Sequence, residues 1–223
     1  MQEIDFMKSL HKSTKRDYIA RVIDPVYPKA KAAKLAKKFA FDYWDGDRRI
    51  CYGGYKYIPG RWTEVANNIV EKYKLEGNVK ILDIGCGKGF LLYELSKILP
   101  EADIKGIDIS EYAISNSKEE ISNNLTKGNA INLPWDDNFF DLVISINTLH
   151  CLHCKDLEKA LIEMERVGKK YKYLCVESFR NEEEKANLLY WQVTCEAFHN
   201  PDSWLWWFKK TGYSGDYSFI YFE

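Results

Sequence analysis

At 223 residues and 46% hydrophobic content, the chain is long enough for one α/β domain with a substantial core and an N-terminal extension. A net charge of −1 gives no basic surplus for nucleic acid, and no apolar run nears the roughly 20 residues of a membrane span or forms a signal peptide's core. Six scattered cysteines point to reduced thiols in a cytoplasm rather than a disulfide framework.

Residues 1–28 are polar and mixed, with Pro25 and Pro28 interrupting any long helix. The Ala- and Lys-rich run from Lys29 to Ala40 is predicted helical, its small apolar side (Leu35, Ala36, Phe39, Ala40) facing the domain and its lysines facing solvent. From Phe41 to Trp62 four glycines and one proline are interleaved with aromatic rings and three arginines, Arg48, Arg49 and Arg61. That composition suits a lid that excludes water and grips a ligand. Residues 1–62 are therefore read as an extension carrying a lid loop, and 63–223 as the main domain. Thr63 to Tyr73 has helical spacing, with Thr63 expected as its cap.

The stretch Val79-Lys80-Ile81-Leu82-Asp83-Ile84-Gly85-Cys86-Gly87-Lys88-Gly89-Phe90 follows. An apolar run ends in an acid and three alternate glycines, and an amphipathic segment begins behind them. Strand, tight turn and helix are the opening of a nucleotide-binding unit, whose free helix-start N–H groups face a ligand crevice. Asp103 to Ser110 is a second strand ending in Asp108, 25 positions after Asp83. A carboxylate there can accept both hydroxyls of a ribose, with Ile109 beside the base. Asp108 can also cap the helix beginning near Glu111, a role compatible with ribose binding, which is the preferred reading.

Leu125 to Trp135 contains Gly128-Asn129-Ala130, and Phe140 to His150 reads as a further strand whose end presents Asn147 and His150. His150-Cys151-Leu152-His153-Cys154 gathers soft ligands in one short run, but no second pair with ligand spacing follows, so no metal is expected. Asp156 to Val167 is an amphipathic helix, and Lys170 to Ser178 a strand with Glu177 at its C-terminal end. The tail is aromatic: Pro201 to Thr211 reads as a helix stopped by Gly212, and Tyr217 to Phe222 as a closing strand. Trp191 and His199 are expected to wall the substrate.

Asp83-Ile84-Gly85-Cys86-Gly87-Lys88-Gly89 resembles motif I of the class I S-adenosylmethionine (SAM)-dependent methyltransferases. A dinucleotide dehydrogenase would place its third glycine at position 90, where this chain has Phe90. The segment around Asn129 resembles the family's G-D-A-x-x-L-P stretch, with the acid replaced by an amide that can still accept from an adenine amino group. The resemblance covers about Val79 to Val176. It implies a Rossmann-like α/β fold: an open, mostly parallel, seven-stranded sheet with helices on both faces. It also implies SAM as cofactor, with Asp83, Gly85, Cys86, Gly87, Asp108, Ile109, Asn129, Ala130 and Asn147 around it, and Tyr55 and Arg61 reaching it from the arm. His150 and Glu177 are the candidate bases. The aromatic loop and ending look like bacterial methyltransferases acting on small molecules or surface-glycan precursors. A small-molecule acceptor is expected, without nucleic acid or membrane, in a monomer or homodimer. The rival expectation is a non-catalytic SAM-binding subunit whose aromatic ends stabilise a protein partner.

Overall fold

The computed structural model describes residues 1–10 and 17–223. In chain order the elements are α1 (Tyr18–Ile23), α2 (Lys29–Ala36), α3 (Phe41–Trp44), α4 (Thr63–Tyr73), β1 (Lys80–Ile84), α5 (Phe90–Ile98), β2 (Asp103–Asp108), α6 (Glu111–Ser115), β3 (Leu125–Lys127), β4 (Phe140–Ile146), α7 (Cys154–Val167), β5 (Gly168–Glu177), α8 (Glu182–Trp191), α9 (Pro201–Thr211) and β6 (Asp216–Ile220).

The strands form one sheet in the order β3-β2-β1-β4-β5-β6, every pairing parallel. Strand order reverses between β1 and β4, which opens a ligand crevice at the C-terminal ends of the strands. The described residues thus give six strands where seven were expected. The predicted closing strand pairs in parallel with β5, and its far edge is met by the N-terminal segment. There Ile4 N–H donates to Tyr217 O (2.8 Å) and Tyr217 N–H to Gln2 O (3.0 Å). That short bridge takes the edge hydrogen bonds a seventh strand would use.

One face of the sheet packs Ile81, Ile104, Leu142 and Tyr173 against α4 and α5 through Val65, Ile69, Leu92 and Leu95. The other packs Leu82, Val143 and Leu174 against α7 and α9 through Leu161, Met164, Trp204 and Phe208. Helices cover both faces because the central strands are apolar on both sides.

Two helix boundaries differ in cause from the sequence reading. Thr63 begins α4 but does not cap it: its hydroxyl donates to Glu94 Oε2 (2.8 Å), and Trp62 holds the cap position. The helix from Lys29 stops at Ala36, and Phe39 takes a left-handed φ of 49° that turns the chain into α3. That turn lays residues 39–55 over the glycine loop. Here Tyr43, Trp44 and Ile50 form a third apolar cluster with Ala32, Ala36 and Ala113.

Candidate functional site

The glycine loop is stitched to the end of β2. Gly85 N–H donates to Ile107 O (2.7 Å), and Gly87 N–H donates to Asp108 Oδ2 (2.8 Å). Ser110 N–H donates to Asp108 Oδ1 (2.7 Å). Each Asp108 oxygen thereby spends one acceptor site and keeps another, so loop positioning and sugar binding are compatible duties. Burial raises the Asp108 carboxyl, and the two amides pull it back. Asp83 lies deeper; burial first and the Asp108 charge second push its carboxyl up to about 7.

Two glycines are required by space as well as by positive φ. A Cβ on Gly85 (φ 80°) would sit 2.0 Å from Thr148 Oγ1, where the loop passes the end of β4. A Cβ on Gly87 (φ 56°) would sit 2.8 Å from the Trp44 ring. Trp44 Nε1 donates to Ser110 Oγ (2.9 Å), which pins the arm to the residue two beyond Asp108. Tyr55 stacks on Phe90 (centroids 5.1 Å, planes 23° apart), and burial pushes its phenol up to about 12, partly offset by the Arg61 charge. Arg61 is exposed. Arg48 and Arg49 are engaged within the arm, Arg48 donating to Cys51 O (2.6 Å) and Arg49 pairing with Asp47 (2.6 Å).

Around the same crevice, Ile109 stands 54% exposed beside Asp108, a large apolar side chain without a protein cover. Asn129 is exposed and Ala130 half-buried after β3, Asn129 Oδ1 accepting from Ile131 N–H (3.2 Å). Cys86 is half-buried with its thiol pushed well up by burial. Asn147 follows β4 with a left-handed φ of 55°, its N–H donating to Cys175 O (2.9 Å).

A second constellation lies where β4 and β5 end. His150 Nε2 is 3.3 Å from Glu177 Oε2, and Glu177 N–H donates to His150 Nδ1 (3.4 Å). With Nδ1 accepting, the proton of the neutral ring belongs on Nε2, facing the carboxylate. Burial pushes His150 down to about 3, so the ring is neutral. Gln192 Nε2 donates to Glu177 Oε1, and Trp204 Nε1 donates to Glu177 O (3.1 Å). The Glu177 charge also reaches the arm thiol Cys51 and Cys151; burial, with a smaller contribution from that charge, pushes both up to about 12 and leaves them unreactive.

Gln192, Trp44, Asp45 and Thr148 were not singled out in the sequence as site residues. Of the two expected wall residues, Trp191 is edge-on to Tyr18 (6.0 Å). His199 instead lines an open groove of about 390 Å³ at the start of α9 with Asn200, Asp202, Ser203, Trp206 and Trp207. The tail rings Trp204, Trp207, Phe208 and Tyr213 are buried in the core, not displayed as a protein interface.

The glycine cradle, the two spare acceptor sites on Asp108 and the exposed Ile109 fit an adenosyl group, and Trp44 of the arm packs beside them against Gly87. Residues 75–212 match the family model described as a methyltransferase domain. An uncharacterized methyltransferase of Schizosaccharomyces pombe is 31% identical over 127 residues, covering 52% of this chain and 45% of that protein. The 24-methylenesterol C-methyltransferase 3 of Arabidopsis thaliana is 29% identical over 147 residues, 58% of this chain and 40% of its own. The chain thus spans less than half the length of these two relatives. Among solved structures, the YcgJ protein of Bacillus subtilis superposes with TM-score 0.53 at 19% identity over 66% of each chain. A Bacillus halodurans protein gives 0.54 at 18%, over 66% of this chain and 68% of its own; both show the shared fold. With a methyltransferase model matching most of its length and a Gly-rich crevice at the strand switch point, this chain belongs to the class I SAM-dependent methyltransferases.

Proposed function

We propose that the chain transfers the methyl group of SAM to an oxygen or nitrogen of a small molecule seated between the arm and the ends of β4 and β5. The observation that carries this reading is Glu177: a buried carboxylate at the C-terminal edge of the sheet, oriented by His150 and Gln192. When bound, SAM supplies an activated methyl group. The chain's own contribution is placement and proton handling. Asp108 and the Gly85–Gly87 backbone hold the adenosyl part, and Asp83 adds a buried carboxyl near the end of β1, just before that loop. Glu177 takes the proton of a hydroxyl acceptor, while His150, with both ring nitrogens turned to Glu177, fixes the carboxylate's orientation.

The partly exposed rings of Tyr52 and Tyr55 in the arm offer aromatic surface for a sugar, which makes a glycan-precursor hydroxyl the first acceptor class to test. A relative's name brings in C-methylation of a sterol, but the polar Glu177–His150–Gln192 group favours a heteroatom acceptor. The reading supports a protein that works in the cytoplasm. Among the described residues no helix is long and apolar enough to cross a membrane.

The test is thermal shift and calorimetry with SAM, S-adenosylhomocysteine and NAD, followed by methyl-label transfer to fractionated small molecules. The adenosyl ligands should stabilise the protein and NAD should not. Asp108→Ala should lose binding by roughly 100-fold or more, since two charge-assisted hydrogen bonds go. Glu177→Gln should bind SAM normally but transfer little label. Wild-type SAM affinity in Asp108→Ala, or full transfer by Glu177→Gln, would refute the reading.

A further inference from the structure

The N-terminal region holds a surface that the methyl-transfer reading does not use. Helix α1 buries none of its residues. One side rests on α8, with the Arg21 guanidinium 4.6 Å from the Trp191 ring centre. On the other side Ile19 (53%) and Ile23 (70%) stand exposed one turn apart, and Val26 (46%) continues the apolar strip past the helix end. Isolated exposed aliphatics need no explanation, but a strip of three on one short segment is costly in water.

Cations flank that strip. Lys31 Nζ donates to Val26 O (3.0 Å), which places an ammonium group against it. The next helix, α2, buries Ala32 and Ala36 against the fold and leaves Lys31 and Lys34 exposed, and Lys37 and Lys38 just past its end are exposed as well. Lys37 is paired with Glu196. The sequence carries the same asymmetry: between positions 8 and 38 there are ten Lys and Arg against two Asp, in a chain with 32 cations and 33 acids overall. A near-neutral protein thus carries a local positive excess near one end.

We propose that this face seats the protein on an anionic phospholipid bilayer, with Ile19, Ile23 and Val26 entering the headgroup boundary and Lys31, Lys34 and Lys38 against the headgroups. Apolar side chains beside lysines are the pattern of an interfacial anchor, in which modest apolar burial and electrostatic attraction add. A nucleic-acid backbone would use the lysines and leave the aliphatic strip in water. The same segment is tied to the arm, since Arg21 Nη1 donates to Ile50 O (3.0 Å) within the Tyr43–Trp44–Ile50 cluster. Docking at α1 is therefore mechanically joined to the element that covers the glycine loop.

Vesicle flotation tests this without any assay of methyl transfer. The full chain is mixed with vesicles of phosphatidylcholine alone or with 30% phosphatidylserine (mole fraction), at low and high salt, with labelled duplex DNA as a separate probe. Binding should appear only with the anionic vesicles and fall with salt. Ile19→Ser/Ile23→Ser and Lys31→Glu/Lys34→Glu/Lys38→Glu should each weaken it roughly tenfold or more. Both variants should keep the wild-type thermal shift with S-adenosylhomocysteine, showing that the fold is intact. Equal binding to both vesicle types, no vesicle binding, or undiminished binding by the Ile19/Ile23 variant would overturn the proposal. So would duplex DNA binding tighter than vesicle binding.

Discussion

Lys88 Nζ lies 2.7 Å from Asp45 Oδ2, joining the glycine loop to the arm, and the Lys88 side chain is only 5% exposed. The Tyr112 hydroxyl donates to the same oxygen (2.8 Å), and Tyr55 N–H donates to the other (2.9 Å). Burial alone would raise the Asp45 carboxyl, yet these bonds hold it below its ordinary value. Asp45 is the point where arm, glycine loop and the helix after β2 meet.

Asp45→Asn should release the arm. It leaves the Lys88 ammonium buried against a neutral amide, at a loss of about 1–3 kcal/mol. Urea unfolding should report that loss, and tryptophan emission should shift to the red as Trp44 leaves Gly87, with Trp44→Phe as the control for its share of the signal. An unchanged midpoint and unchanged emission would show that the arm is held by its aromatic packing alone.

How far these contacts were legible in the sequence follows from their range. The α9 boundaries could be read because Asn200, Pro201 and Gly212 act locally: Asn200 Oδ1 accepts from Ser203 N–H, and Gly212 takes the left-handed φ that stops the helix. The glycine loop and Asp108 were readable for the same reason, since strand, turn and acid follow one another along the chain. The Asp45–Lys88 pair, the Trp44–Gly87 contact and the Gln192–Glu177 bond join residues 43, 43 and 15 positions apart, and no local pattern marks them. The seventh strand is implied by the family resemblance alone; the alternation near the C-terminus marks only the closing strand, which forms as β6, and no local pattern says that the N-terminal segment meets its far edge.

Asp83 should give the protein a pH-dependent stability opposite to that of most carboxylates. Its folded value is pushed up to about 7 by burial and by Asp108, against an ordinary value of 3.8. Its contribution is therefore fully present below 3.8 and lost as pH rises through 7. Asp83→Asn should flatten that decline and be more stable than the wild type at pH 8 by a few kcal/mol. Parallel stability curves from pH 4 to 8 would exclude this. Because SAM is cationic, its binding at pH 6 should release a proton, detectable by calorimetry in buffers of different ionisation enthalpy and absent in the variant.

His150 acts with the opposite sign. Its folded value lies at about 3 because burial resists charging, against 6.5 for the free side chain. The stability it allows is present above 6.5 and lost as pH falls toward 3, since the unfolded chain takes a proton the folded one refuses. Between pH 7 and 5 the wild type should lose about 2 kcal/mol more than His150→Gln. The variant should bind SAM as the wild type does and turn over more slowly, because Glu177 has lost its orienting partner. Equal acid sensitivity of the two proteins would mean that the ring is hydrated and charged in the fold.

Gly85 and Gly60 both have positive φ, 80° and 81°, but only Gly85 is crowded. An alanine at 60 meets open space and carries only the backbone strain of a left-handed residue, about 1 kcal/mol. An alanine at 85 adds a contact of 2.0 Å with Thr148 Oγ1 and 2.5 Å with Thr148 Cβ, so trimming the threonine to alanine leaves the Cβ clash in place. The loop must then move off β4, at several kcal/mol in total, and carry Gly87 away from Asp108. Gly60→Ala should melt within a few degrees of the wild type and bind S-adenosylhomocysteine normally. Gly85→Ala should melt far lower and lose binding, and Gly85→Ala/Thr148→Gly should recover more than Gly85→Ala/Thr148→Ala. If the two threonine replacements rescue equally, it is the hydroxyl and methyl of Thr148, not its Cβ, that keep position 85 a glycine.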